Sequence, residues 1–257
     1  MRILFIRHGD PDYVNDTLTE KGHREAALLS ELAPALEMGE CYVSPLGRAK
    51  DTAAYSLKKL GKTAETLDWL QEFPARLDIN LSEELKHAFP DAEKEGERYI
   101  KRIVWDMAPA YWMEHKEYFD RDAWRSSDAA KYSDMIPLYD SVVAEFDALL
   151  KKYGYVREGM YYRTQSASTQ TITFFCHFGI TCVLLSHLWN VSPFILWHGL
   201  MLAPSSVTEV VTEEREQGSV CFRALRAGDI SHLYLGNEKA SFAGRFREVY
   251  ANPEQRN

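Results

Sequence analysis

Cysteine is scarce in this sequence. The chain has four in 257 residues, Cys41, Cys176, Cys182 and Cys221, with no C-x-x-C pair and no cysteine–histidine spacing suited to zinc. That excludes a disulfide scaffold and a zinc module, and makes a reducing compartment the simplest inference. Long apolar runs are also missing. The greasiest stretch, residues 183–202, is broken by Ser186, His187, Asn190, Ser192, Pro193 and His198, whereas a spanning helix needs about 20 mainly apolar residues. At the N-terminus only Ile3 to Ile6 is apolar, between Arg2 and Arg7, too short for a secretory signal. No membrane association and a cytoplasmic location are therefore expected. An excess of positive charge is the third absence. Lys and Arg number 30 against 38 Asp and Glu, a net charge of -8, and no five like charges are consecutive. Nucleic acid is thus excluded as the main partner, and any anion must be held by a local cluster.

What is present is enough apolar material for a large core, with 46% hydrophobic and 26% charged residues and no repeat or low-complexity segment. Met1 to Ile6 reads as a strand buried on both faces, ending in the polar turn Arg7-His8-Gly9-Asp10-Pro11. Thr19 is a candidate N-cap for a helix whose apolar side is Ala26, Ala27, Leu29, Ala33 and Leu36, with Gly39 expected to end it. Cys41 to Val43 is a second strand, Arg48 to Leu60 a second helix entered through Ser44-Pro45-Leu46, and Thr63 to Leu67 a third strand. Strand, helix, strand, helix, strand predicts an α/β domain, a three-layer sandwich with a mainly parallel central sheet flanked by helices. The rhythm stops between residues 73 and 136, a polar, acidic and aromatic stretch read as a largely helical insertion into one domain covering 1–257. Three readings of it stand side by side: a lid, an interface, or a packed subdomain whose aromatics are core. Beyond it the pattern predicts a helix over 138–153, strands over 156–162 and 169–176, an apolar helix over 179–190, and a closing hairpin of 207–212 with 220–225.

The chemistry gathers where strands end, because ligands of open α/β sheets collect outside the carboxyl ends of strands. Arg7 and His8 follow the first strand, Arg48 follows the second, and His177 follows the strand ending at Cys176. Any one of these residues alone reads as structural. Together they make a compact cationic pocket on an acidic protein, which suits a phosphoryl group.

These segments resemble the histidine phosphatase superfamily, the phosphoglycerate-mutase-like group. The resemblance rests on Leu4-Phe5-Ile6-Arg7-His8-Gly9, Asp16-Thr17-Leu18-Thr19-Glu20-Lys21-Gly22, the run Ser44 to Ala53, Trp69-Leu70-Gln71-Glu72 and Phe175-Cys176-His177-Phe178-Gly179. It implies that His8 is the nucleophile that accepts a phosphoryl group, with Arg7, Arg48 and His177 around the transferring oxygens. It also implies a general acid at Glu72, with Glu83 and Glu84 as rivals whose favoured reading is the solvated start of a helix. Asn15 lies one position from a family pocket asparagine and stands as a candidate substrate contact, as does Phe178, which intervenes between His177 and Gly179. Asp10-Pro11 departs from the family's usual residues after Arg-His-Gly, and the following loop is shorter than in the glycolytic mutases.

The leading expectation is a phosphatase of the phosphohistidine type, needing no cofactor or metal, that hydrolyses a small phosphorylated metabolite. A phosphomutase using the same chemistry and a non-catalytic phosphate-binding protein are the alternatives. The missing mutase loop argues against the first, and the intact set of His8, Arg48, His177 and Glu72 against the second. Oligomeric state is left open between a monomer and a homodimer.

Overall fold

The computed structural model describes residues 1–166, 168–246 and 248–251. It has two compact units, one made of residues 1–72, 162–181 and 201–257, the other of 73–161 and 182–200. The first carries the expected α/β sheet. Its strands are β1 (Arg2–Arg7), β2 (Glu40–Val43), β3 (Ala64–Thr66), β4 (Tyr161–Thr164), β5 (Thr171–Cys176), β6 (Val207–Glu216) and β7 (Ser219–Asp229), in the order β4-β7-β6-β1-β5-β2-β3. β5 runs parallel to β1 and β2, and β2 parallel to β3, so β1, β2 and β5 end at the same edge. Antiparallel pairing of β6 with β1 and β7 extends the sheet on the other side. Five of the six residues of β1 are buried, because it lies in the interior of the sheet, which explains its lack of polar alternation.

Helices α1 (Glu20–Leu36) and α2 (Gly47–Leu60) cover one face. Leu29, Ala33 and Leu36 of α1 and Ala49 and Ala53 of α2 form one buried cluster with Leu4, Ile6, Val43, Phe175 and Val207. Thr19 caps α1 as its sequence position suggests, accepting from the Gly22 amide. The helix stops earlier than expected, however. Glu37, at φ 49°, is its left-handed C-cap, and Gly39 serves a different purpose: a Cβ there would lie 1.7 Å from the Thr171 carbonyl oxygen.

Two other expectations are revised. The single strand over 156–162 is two, Tyr155–Glu158 and Tyr161–Thr164, because the chain turns at Gly159 with φ 60°. The closing hairpin is longer than the alternating residues indicate and turns at Gly218, φ 77°.

In the second unit, α3 (Met135–Lys152), most of α4 (Phe178–Trp189) and α5 (Pro193–Gly199) join residues 73–136. That earlier stretch has only single-turn and short helices, such as Glu83–Ala88 and Pro109–Trp112, with two-residue strand pairs. Trp105, Trp112, Tyr118 and Trp124 are buried, whereas Phe119 is exposed, and Trp105 lies 5.4 Å from Trp197 between ring centroids. Among the described residues no helix is long and apolar enough to cross a membrane.

Candidate active site

The end of β1 is fixed on every side. The His8 amide donates to the Cys176 carbonyl at 3.0 Å, and the His8 carbonyl accepts from the Ser205 amide at 2.9 Å. The next amide, Gly9, donates to Thr52 Oγ1 at 2.9 Å. Gly9 and Gly22 let this loop press onto the first turn of α1: a Cβ on Gly9 would lie 2.8 Å from the Gly22 carbonyl oxygen. Behind the loop, the Asp10 amide donates to Oε2 of the fully buried Glu25 at 2.8 Å. Burial pushes the Glu25 carboxyl up to about 7, against the opposing pull of the Asp10 amide and Lys21.

His8 Nδ1 lies 2.7 Å from the Gly9 carbonyl oxygen. A carbonyl only accepts, so Nδ1 carries the proton and Nε2 keeps its lone pair. Burial, then Arg7 and Arg48, hold His8 well below the usual imidazole range, with the Gly9 hydrogen bond opposing them. The ring is therefore neutral near pH 7, with its nucleophilic nitrogen at Nε2.

Around it stand the other residues singled out from sequence. The His177 ring is 5.1 Å from His8 between centroids. Its Nε2 is 2.7 Å from Ser44 Oγ, and burial followed by His8, Arg48 and Arg7 lowers its pKa strongly. Arg7 is 5%, His8 2%, Arg48 9% and His177 0% exposed, so two guanidinium groups and two neutral imidazoles share a shielded place where charge interactions are strong. Arg7 donates to the Leu202 carbonyl and lies 5.8 Å from the Phe178 ring. Arg48 is aimed by Asp16: Oδ1 takes its Nη1 at 2.5 Å while Oδ2 accepts the Gly47 amide at 2.7 Å, capping α2 from a distant loop. The exposed Tyr13 ring lies 5.4 Å from the Arg48 guanidinium carbon. The chain returns to the site near its end, where Ser241 donates to Asp10 and a Cβ on Gly244 would lie 2.7 Å from Arg7 Nη2.

Glu72 joins this edge of the sheet, its Oε1 accepting the Ile180 amide at 3.0 Å, three residues beyond His177. Glu83 and Glu84 are exposed in the first turn of the Ser82-capped helix of the second unit, with Glu83 paired to Lys86. Asn15 is exposed and gives its side-chain amide to Asp12 at 2.8 Å, stabilising its own loop. Asp16, Thr52, Ser44 and Tyr13 belong to the site without having been singled out. Three of them lie inside the motif segments, but their type and spacing carry no sign of a partner more than 30 residues away. Among the described residues no group of three or more His, Cys, Asp or Glu is placed to hold a metal ion.

The family model described as histidine phosphatase superfamily (branch 1) matches residues 3–102. Over that segment the chain is similar to the histidine phosphatase superfamily. No curated protein sequence matches it. Among solved structures, it is similar to the product of an open reading frame of Mycobacterium tuberculosis, at 15% identity and TM-score 0.54, over 88% of this chain and 96% of that one. A mycobacterial glucosyl-3-phosphoglycerate phosphatase, solved with VO3, is 19% identical with TM-score 0.50, over 88% and 97% of the two chains. A phosphoserine phosphatase from Entamoeba histolytica, solved with 3-phosphoglyceric acid, is 15% identical with TM-score 0.52, over 90% and 98%. At such identities the likeness establishes the fold alone, and the chemistry has to be argued from this chain's own residues.

Proposed function

We propose that this protein is a phosphomonoesterase that hydrolyses a small phosphorylated metabolite through a phosphohistidine at His8, without a metal ion. The observation that carries this reading is the His8 tautomer: Nδ1 is tied to the Gly9 carbonyl, which leaves a neutral Nε2 among Arg7, Arg48 and His177. Nε2 attacks phosphorus as the ester P–O bond breaks, forming an N–P bond. Arg7 and Arg48 neutralise the equatorial oxygens, where phosphoryl transfer needs positioning and charge more than covalent help. The leaving alkoxide takes a proton from Glu72, and the resulting carboxylate then takes one from the water that cleaves the N–P bond, restoring His8 and releasing phosphate.

Hydrolysis of p-nitrophenyl phosphate in excess EDTA checks this. Wild type is expected to stay active in the chelator and His8→Ala to lose turnover while remaining folded. Activity abolished by EDTA, or retained in His8→Ala, would contradict the proposal.

A further inference from the structure

Ser44 lies at the end of β2 and is completely buried. Its hydroxyl oxygen has two partners: it accepts from the Leu46 amide at 3.3 Å and lies 2.7 Å from His177 Nε2. The other ring nitrogen, His177 Nδ1, is buried without a hydrogen-bond partner. The ring is held from the backbone side as well, because the His177 carbonyl accepts both the amide and the hydroxyl of Thr181, at 3.2 and 2.6 Å.

From this geometry we infer that Ser44 is a positioning residue that holds His177 as its Nδ1–H tautomer, so that the ring meets a phosphoryl oxygen as a neutral hydrogen-bond donor. The second half of this statement rests on the phosphatase reading above, and the first half does not. The Leu46 amide already serves the hydroxyl as donor, so the hydroxyl proton has one acceptor within reach, Nε2. In the reverse arrangement Nε2–H would donate to Ser44, leaving the hydroxyl proton buried with no acceptor. It would also leave a bare lone pair at Nδ1, where an anion's oxygen would meet repulsion. An imidazolium is disfavoured by burial and by the neighbouring Arg7, Arg48 and His8. In the favoured arrangement the unmet group of the Ser44–His177 pair is an N–H donor beside two guanidinium groups, the complement of a phosphoryl oxygen. His177 then acts through a hydrogen bond, and proton transfer falls to the carboxyl group.

Long-range 1H–15N correlation spectra of the labelled full chain read the tautomer directly, with His177 assigned by difference from His177→Gln. The expected wild-type spectrum has a protonated Nδ1 and an unprotonated Nε2 at neutral pH. In Ser44→Ala the Nδ1–H population should fall and turnover drop roughly tenfold, short of the ~10² or greater loss that follows deletion of a transition-state donor itself. Ser44→Thr, which keeps the hydroxyl, should restore both. A wild-type ring protonated at Nε2, a charged ring, or a Ser44→Ala protein with unchanged tautomer overturns the assignment whatever the activity. If the predicted tautomer is found in a chain that hydrolyses no phosphate ester, the phosphatase reading fails and the holding role of Ser44 stands.

Discussion

At the residue scale, the functional groups come from three strand ends, but their orientation comes from neighbours without catalytic chemistry of their own. Asp16 shows this most clearly. It grips Arg48 and caps α2 with the same carboxylate, so one residue sets both the direction of the cation and the start of the helix that bears it. Arg48→Ala is expected to lower turnover of p-nitrophenyl phosphate by roughly 10²-fold or more, the scale of losing one preorganised donor. Asp16→Ala should lose less, roughly tenfold, and should also destabilise the fold by about 1 kcal/mol through the lost cap. Steady-state kinetics and thermal melts of the two variants separate these effects, and wild-type kinetics in both would remove Arg48 from the site. Arg7, His8, Arg48 and His177 were legible because Arg7 ends a buried strand and the other three follow one. Asp16 and Ser44 were not, since a single Asp in a polar loop and a Ser before a proline fit ordinary turn chemistry equally well. Their partners, at Gly47 and Arg48 and at His177, become neighbours only when the sheet is assembled.

At the scale of elements, α1 does more than cover the sheet. Its first turn fits against the Arg-His-Gly loop through Gly22, and one turn further Glu25 holds the Asp10 amide from within the core. A carboxyl group with a folded pKa of about 7 against the ordinary 4.5 binds protons more tightly in the folded chain. Its contribution to stability is complete below pH ~4.5 and is lost as pH rises through about 7. Glu25→Gln keeps an oxygen for the Asp10 amide and removes the buried charge. It should therefore stabilise the protein above pH 7, by on the order of 2–3 kcal/mol, with the gain shrinking toward pH 4.5. Denaturant unfolding of both proteins at pH 5 and pH 8 tests the sign. A gain that is larger at pH 5 would contradict the account. The strands and long helices of this unit were readable because each has a clear period or an unbroken apolar run. Gly39, at φ 20° and pressed against the Thr171 carbonyl, misled as a helix terminator because a glycine that serves close backbone approach is indistinguishable in sequence from a helix cap.

At the scale of the whole molecule, the division of the chain follows its chemistry. The unit containing residues 1–72, 162–181 and 201–257 holds every group of the proposed phosphoryl transfer, whereas the other has an aromatic core. The second unit begins at Phe73, where the α/β rhythm of the sequence breaks, and also takes in residues 137–161 and 182–200. The interior of the stretch 73–136 was not legible, because two-residue strands and single-turn helices are too short for any period to show. Burial assigns Trp105, Trp112 and Trp124 to packing, as one of the three readings of the aromatic stretch anticipated. All the chemistry proposed for the fold depends on a covalent bond between His8 Nε2 and phosphorus. The most direct measurement is rapid quenching into base during turnover of an activated aryl phosphate, followed by peptide mass mapping. The account predicts one acid-labile phosphoryl group on His8, absent from His8→Ala and lost as inorganic phosphate is released. Turnover with no phosphoryl group on His8, or with the label on another residue, would contradict it.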